Sequence, residues 1–206
     1  MKNIILLGKP CSGKGTLSKQ LVEKGYYHLS GSDVLRENSQ SEDAPYYKEA
    51  INALTTGVLI ADNIMNGMVA NKVKELKGQP IVFDGFPRSI SQAEQLFTLF
   101  PDLTQLQSFY LDISDSEIIE RVTNRLTCKK CAASYNTTTM KPKIEGICNL
   151  CGGEVYRRTD DNIDTLKTRL SQYTEQTEPV IDYMKQNIQH FDLKEDQINL
   201  NFILEQ

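Results

Sequence analysis

The run Asn3-Ile4-Ile5-Leu6-Leu7, followed at once by Gly8-Lys9-Pro10-Cys11-Ser12-Gly13-Lys14-Gly15-Thr16, constrains this chain more than any other stretch. Apolar residues ending at a glycine read as a short strand buried on both faces. Beyond the glycine-rich segment, Leu17, Leu21 and Val22 recur at helical spacing until Gly25 stops the pattern. The segment between strand and helix fits G-x-x-x-x-G-K, with Thr16 one place later than the usual Ser/Thr. That order turns backbone N–H groups and a helix N-terminus toward one point, where a phosphate can sit. Pro10, Cys11, Ser12, Gly13, Gly15 and Thr16 therefore read as a cradle, and Lys14 as the cation for the outer phosphates. The bland alternative is a glycine-rich turn, and the strand-to-helix context stands against it.

The same alternation runs on. Tyr26 to Leu29, Pro80 to Phe83, Ser108 to Leu111 and Phe191 to Leu193 read as further short strands. Helical spacing covers Ala61 to Lys77, Ser89 to Phe100, the stretch around Ile118, Ile119 and Val122, and Asp164 to Asn187, where Pro179 predicts a kink. Residues 30–60 read as small helices broken at Pro45 and Gly57. Strands alternating with helices imply parallel pairing in an α/β sandwich. Residues 126–162 break the alternation: they are rich in Cys, Thr, Gly and Lys and have no helical period. A long structureless loop is a poor fit to a compact domain, so this stretch reads as an inserted module with its own staple.

The staple is visible. Cys128-x-x-Cys131 and Cys148-x-x-Cys151, sixteen residues apart, have the spacing of a four-cysteine zinc site. Ala132-Ala133 and Gly152-Gly153 follow the second cysteine of each pair, where small residues let backbone N–H groups turn toward the thiolates. Four thiolates close a tetrahedron, so the ion is expected to be structural. Disulfides, unliganded thiols and iron are the alternatives. The N-terminus lacks the ~7–15-residue apolar stretch of an export signal, which predicts a cytoplasmic chain with reduced thiols. The longest aliphatic runs have four residues, against ~20 for a membrane span. A net charge of −4 speaks against a nucleic-acid surface or a basic membrane anchor. His28 and His190 are far apart in sequence and read as structural; no Ser/His/Asp or Cys/His pair is evident.

Three further segments resemble one family. Phe83-Asp84-Gly85-Phe86-Pro87-Arg88 with Gln92, Asp33-Val34-Leu35-Arg36, and Arg158-Thr159-Asp160-Asp161 with Arg169 look like adenylate kinase motifs, in that family's order and over essentially the whole chain. The resemblance is to the bacterial long-lid form with a zinc-type lid. It implies an α/β, doubly wound parallel sheet of the P-loop nucleoside monophosphate kinase type. The core would be residues 1–29, 61–125 and 163–206, with a helical AMP-binding insertion at 30–60 and the lid at 126–162. The implied reaction is reversible transfer from MgATP to AMP giving two ADP, by a monomer. Phosphoryl transfer asks for positioning and charge neutralisation, which the planar fork of arginine supplies well. On this resemblance Lys14, Arg88, Arg125, Arg158 and Arg169 surround the moving phosphoryl group. Asp84, at a strand end beside the phosphate loop, would hold waters of Mg²⁺. The ATP side adds Arg121, Ser134, Tyr135 and Gln197 to the loop residues. The AMP side takes Gly31, Arg36, Val58, Leu59, Ile60, Gly85, Phe86, Pro87 and Gln92, shared with Arg88, Arg158 and Arg169.

Departures from the family pattern are specific. Cys11 stands where a glycine is usual, and Gly31 stands where a threonine is usual. Lys194 to Gln197 replace a C-terminal Asp-Gly turn, so Gln197 is assigned by position. A kinase for UMP or CMP, and a non-catalytic nucleotide-binding zinc module, remain as alternatives. The helix start after Cys11, with Lys9 and Lys14 nearby in sequence, predicts a lowered thiol pKa and a reactive thiolate. The other reading is a small filler whose sulfur turns into the core.

Overall fold

The computed structural model describes residues 1–56, 60–131, 133–157 and 161–206, with the side chains of 54–56 set aside. Strand β1 (Asn3–Gly8) explains the layering. Ile4 and Leu6 pack into one apolar cluster, and Ile5 and Leu7 into another. All four are essentially inaccessible, as expected for a strand covered on both faces. It lies between β3 (Ile81–Asp84) and β4 (Leu106–Asp112), with β2 (Tyr27–Ser30) outside β3 and β8 (Gln189–Lys194) outside β4. Every pairing in this sheet is parallel, in the order β2-β3-β1-β4-β8.

After β1 the chain goes to one edge and returns; it then builds the other half. The strand order therefore reverses beside β1, and a crevice opens at the carboxyl ends of β1, β3 and β4. Helices α1 (Lys14–Val22) and α9 (Leu200–Leu204) cover one face through Leu17, Leu21 and Ile203. Helices α4 (Asp62–Glu75), α5 (Ile90–Leu99) and α8 (Glu178–Asn187) cover the other with Met68, Val69, Leu96, Val180 and Met184. Burying each such side chain contributes roughly 1.5–3 kcal/mol. This is the expected doubly wound parallel sheet.

The stretch 30–60 folds, where described, into α2 (Gly31–Asn38), capped by Ser30 Oγ accepting from Asp33 N–H, and α3 (Tyr47–Thr56). Gly57 lies outside the described residues. Tyr46 packs so closely on α4 that a Cβ at Gly67 would lie 1.9 Å from its hydroxyl oxygen.

The expected helical run from Asp164 to Asn187 is present, with a change of winding inside it. Helix α7 (Ile163–Gln172) gives way to a π-helical turn over Tyr173–Thr177, and α8 begins at Glu178. Proline has no N–H, and its ring crowds the carbonyl four residues back, here that of Glu175. The widened turn therefore falls ahead of Pro179, and Tyr173 is buried within it.

Helix α6 (Asp115–Asn124) leads into a second, antiparallel sheet with β5 (Arg125–Cys128) between β6 (Ser134–Asn136) and β7 (Val155–Tyr156). Its apolar cluster is small: Cys128, Ala133, Tyr135, Cys148 and Val155. Met140, Ile144, Ile147 and Leu150 remain exposed. Among the described residues no helix is long and apolar enough to cross a membrane.

Candidate active site

The loop after β1 is shaped by residues with positive φ: Gly8 at 144°, Cys11 at 65° and Gly13 at 104°. Gly8 is also required by space, because a Cβ there would lie 2.9 Å from the carbonyl oxygen of Leu111. Lys14 Nζ donates to Gly8 O at 2.7 Å and Lys9 O at 2.8 Å, so the loop curls around its own ammonium. Burial pushes the Lys14 pKa down to about 8, while the Asp84 carboxylate pulls it back up. No side chain caps α1 and its first turn holds no acid. Thr16 and Leu17 N–H both donate to Gly13 O, at 3.0 and 3.1 Å, while no side chain stands at the helix start to compete with an anion there. Ser12 is fully buried, whereas Gly15 and Thr16 are exposed.

Asp84 ends β3 in register with Ser30 of β2 and Leu6 of β1. Its carboxylate lies 3.7 Å from where a Cβ on Gly15 would be, against the first turn of α1. Arg88 folds back over Gly85, its Nε donating to Gly85 O at 2.8 Å. Gly85 has φ 68°, and a Cβ there would sit 2.9 Å from the Arg88 guanidinium. The peptide between Phe86 and Pro87 is cis. Phe86 itself is buried in the core. The charge of Arg88 is felt at Lys14, and that of Arg169 at both Arg88 and Cys11. Arg121 donates to Ser12 O at 3.2 Å and pairs with Glu117 and Glu195. One lysine, one carboxylate and several arginines thus converge on the end of the sheet, an arrangement that can hold polyphosphate and neutralise charge moving between phosphates.

Arg125 joins the loop to the second sheet. Its Nη1 donates to Cys11 Sγ at 2.9 Å, and its Nε to Asp161 Oδ2 at 2.8 Å. The second guanidinium nitrogen also pairs with Asp161, whose side chain is almost wholly buried. Cys11 corrects the sequence expectation. Burial is the largest influence and raises its pKa, outweighing the pull of Arg125. Lys9, expected to lower it, is turned away onto Asp115 at 2.5 Å. Cys11 packs, half-buried, against the cluster of Ile113, Ile118, Val122 and Leu166, which favours the filler reading, while its sulfur accepts from Arg125.

On the far side of Arg88, Gln92 is 7% exposed and bonded at both ends of its amide. Nε2 donates to Asp62 Oδ1 at 2.7 Å, and Oε1 accepts from the Arg88 backbone N–H at 2.8 Å. Ser89 caps α5, and its hydroxyl donates to Asp62 Oδ2 at 2.5 Å. Ile60 is half-buried against the same core, while Arg36, on α2, is exposed and paired with Asp33. A Cβ added at Gly31 would lie at ordinary contact distance, 3.6 Å from Gly85 O and 3.8 Å from Met65 Cε. Val58, Leu59 and Arg158 lie outside the described residues, as do Thr159, Asp160 and Ala132.

The four cysteines of the second sheet come together, with all sulfurs within 4.8 Å of one another. Cys128 Sγ is 3.5 Å from Cys151 Sγ, and Cys131 Sγ is 3.6 Å from Cys148 Sγ. Sulfurs at Zn–S distances of ~2.3 Å on a tetrahedron are separated by ~3.8 Å, so this set fits zinc. Backbone N–H groups of Lys130 and Cys131 point at Cys128, and that of Gly153 at Cys151. Gly153 makes the approach possible, since a Cβ there would meet Cys128 Sγ at 3.1 Å and Cys151 Sγ at 3.3 Å. Tyr135 is buried beneath, its hydroxyl 3.2 Å from Cys148 Sγ and accepting from Asn149 N–H. Its side chain is committed to the cluster. Ser134 is exposed beside it.

The adenylate kinase family model matches residues 6–189. Curated relatives agree. An adenylate kinase of Mycoplasma capricolum is 37% identical over 210 residues, covering 99% of this chain and 96% of its own length. One from Caldicellulosiruptor saccharolyticus is 39% identical over 186 residues, covering 88% and 86%. One from Methanothrix thermoacetophila is 40% identical over 185 residues, covering 88% and 85%. The chain belongs to the adenylate kinase family. It is a nucleoside monophosphate kinase.

Within that family setting, three placements are not legible in the sequence. Asp161 reads there as part of a charge run, and is the buried partner of Arg125. His28, read as structural, has Nε2 3.2 Å from Asp84 Oδ2 because β2 pairs with β3. Ser108 Oγ lies 2.7 Å from His190 Nδ1, and His190 Nε2 lies 3.2 Å from Asp192. That line of groups has no catalytic access, since Ser108 is fully buried within the sheet. Gln197 is exposed, with its side-chain oxygen accepting from Lys194 N–H.

Proposed function

We propose that this adenylate kinase family member transfers the terminal phosphoryl group of MgATP to AMP, reversibly, giving two ADP. The observation that carries the reading is the meeting of Lys14, Asp84 and Arg88 at the switch point of the sheet, with the Gln92 amide one step beyond. Lys14 and the loop from Pro10 to Thr16 hold the donor phosphates, with Arg121 at the loop's outer side. Arg88, Arg125, Arg158 and Arg169 neutralise the phosphoryl group in transit. Asp84 fits the waters of Mg²⁺, since its carboxylate lies against the first turn of α1 beside Lys14. When bound with ATP, Mg²⁺ would supply neutralisation of the charge on the transferring phosphates. No general base is required, because a phosphate oxygen of the acceptor is the nucleophile.

Arg36, Val58, Leu59, Ile60 and Gln92 are assigned to the acceptor in this reading. Residues 30–60 form its cover, residues 126–162 form the lid on the donor, and the remainder is the core. Cys128, Cys131, Cys148 and Cys151 hold one Zn²⁺ with no open position, so the metal shapes the lid and does no chemistry. The net charge of −4 supports free nucleotides over nucleic acid as partners. Phosphorus NMR of MgATP mixed with AMP tests the reaction: two ADP form per AMP consumed, and ADP alone runs backward to ATP and AMP. ATP loss without an acceptor, or no turnover, overturns the proposal.

A further inference from the structure

The two partners of the Gln92 side chain leave its amide one orientation. A carboxylate only accepts, and Asp62 Oδ1 is 2.7 Å from one end; a backbone N–H only donates, and that of Arg88 is 2.8 Å from the other. The nitrogen must therefore face Asp62 and the oxygen Arg88. Each end keeps one capacity to spare: Nε2 has a second N–H, and Oε1 a second lone pair. The spare pair is presented in a fixed order, acceptor then donor. The edge of a 6-aminopurine complements it, with an amino donor at position 6 and an acceptor at N1. A 6-oxopurine has the reverse, an acceptor at position 6 and a donor at N1. It would fit only a flipped amide, and the flip sets N–H against the Arg88 N–H and oxygen against the Asp62 carboxylate. With Gln92 itself 7% exposed, both clashes would fall on a buried amide.

We infer that Asp62 makes the acceptor site choose 6-aminopurine over 6-oxopurine monophosphates, as a positioning residue acting through Gln92. The inference rests on the reading in which Gln92 meets the acceptor base. Asp62 is itself fixed: it opens α4, and Ser89 Oγ, which caps α5, donates to its other oxygen at 2.5 Å. The lock thus spans the starts of two helices. Asn at position 62 has the same shape but can also donate, so it removes one of the two clashes that forbid the flip.

The test compares kcat/KM for AMP and for IMP, which differ only at position 6 and N1, with MgATP as donor. Asp62→Asn is expected to lower the AMP-over-IMP ratio about tenfold, the loss of one discriminating polar contact. The change should fall on KM for AMP, with kcat held within about threefold. Asp62→Ser, whose hydroxyl also accepts or donates, should move the ratio the same way and serves if the first variant fails to fold. Gln92→Ala should abolish the preference, and adding Asp62→Asn to it should change the ratio no further. If both Asp62 variants keep the wild-type ratio while Gln92→Ala loses it, the role of Asp62 is overturned and the reading of Gln92 stands. A further fall in the double variant also overturns the role, since Asp62 would then act without Gln92. An unchanged ratio in Gln92→Ala overturns the underlying reading instead.

Discussion

The parallel sheet and the cysteine module are held together by different forces. In the sheet, Ile4, Ile5, Leu6 and Leu7 vanish between two layers of helices, and Phe109 stacks on Phe191 at 5.1 Å. In the module, the apolar cluster has five buried residues, two of them cysteines, while Ile144 and Leu150 lie open to solvent. A region that small cannot fold on burial alone, and four sulfurs with aimed N–H groups take the place of a core. The regions meet where Arg125 reaches back to Asp161 and Cys11. The difference suits different tasks: Asp84 ends β3, Lys14 opens α1 just beyond β1 and Arg88 follows β3, while the module supplies the lid in the proposed reaction.

The largest expected effect breaks the module alone. Structural zinc contributes ~10–16 kcal/mol in small Cys/His modules, so Cys148→Ala should empty the site and unfold β5 to β7. Hydrogen exchange should show those amides losing protection while β1, β3 and β4 keep theirs; melting of both regions together would break the comparison. The converse variant, Phe109→Ala, should cost the sheet ~3–5 kcal/mol in denaturant unfolding, with one metal per chain retained. Arg88→Ala should lower kcat ~10²–10³-fold with little change in unfolding midpoint, because it removes a donor to developing charge and no packing. The smallest effect is a pH dependence set in the sheet. Lys14 is protonated below about 8, so ATP affinity should be full there and fall by up to about tenfold per unit as pH rises past it. Stability of the free protein should move oppositely between about 8 and 10.5, since the unfolded chain keeps the proton that folded Lys14 sheds. Calorimetric titration and melting across that range check both signs.

The alternation of strands and helices was legible because β1 and α1 declare their periods and Gly8, Gly13 and Gly25 punctuate them. The cysteine cluster was legible because metal geometry fixes ligand spacing. What could not be read depended on burial or on distant partners. Charges near Cys11 are visible in sequence, but the desolvation that outweighs them is not, nor is the turning of Lys9 onto Asp115. Pro179 announces a disturbance, yet the widened turn forms ahead of it at Tyr173–Thr177. The ring of Asp62, Ser89 and Gln92 joins residues 30 apart, and only the packing of α4 on α5 brings them together.

The most direct measurement is the initial rate of ADP formation from MgATP with AMP, CMP, UMP or GMP at equal concentration. The arrangement of Lys14, Asp84, Arg88 and Gln92 predicts AMP as the fastest acceptor. Faster turnover with CMP or UMP, or no ATP consumed with any of the four, would contradict it.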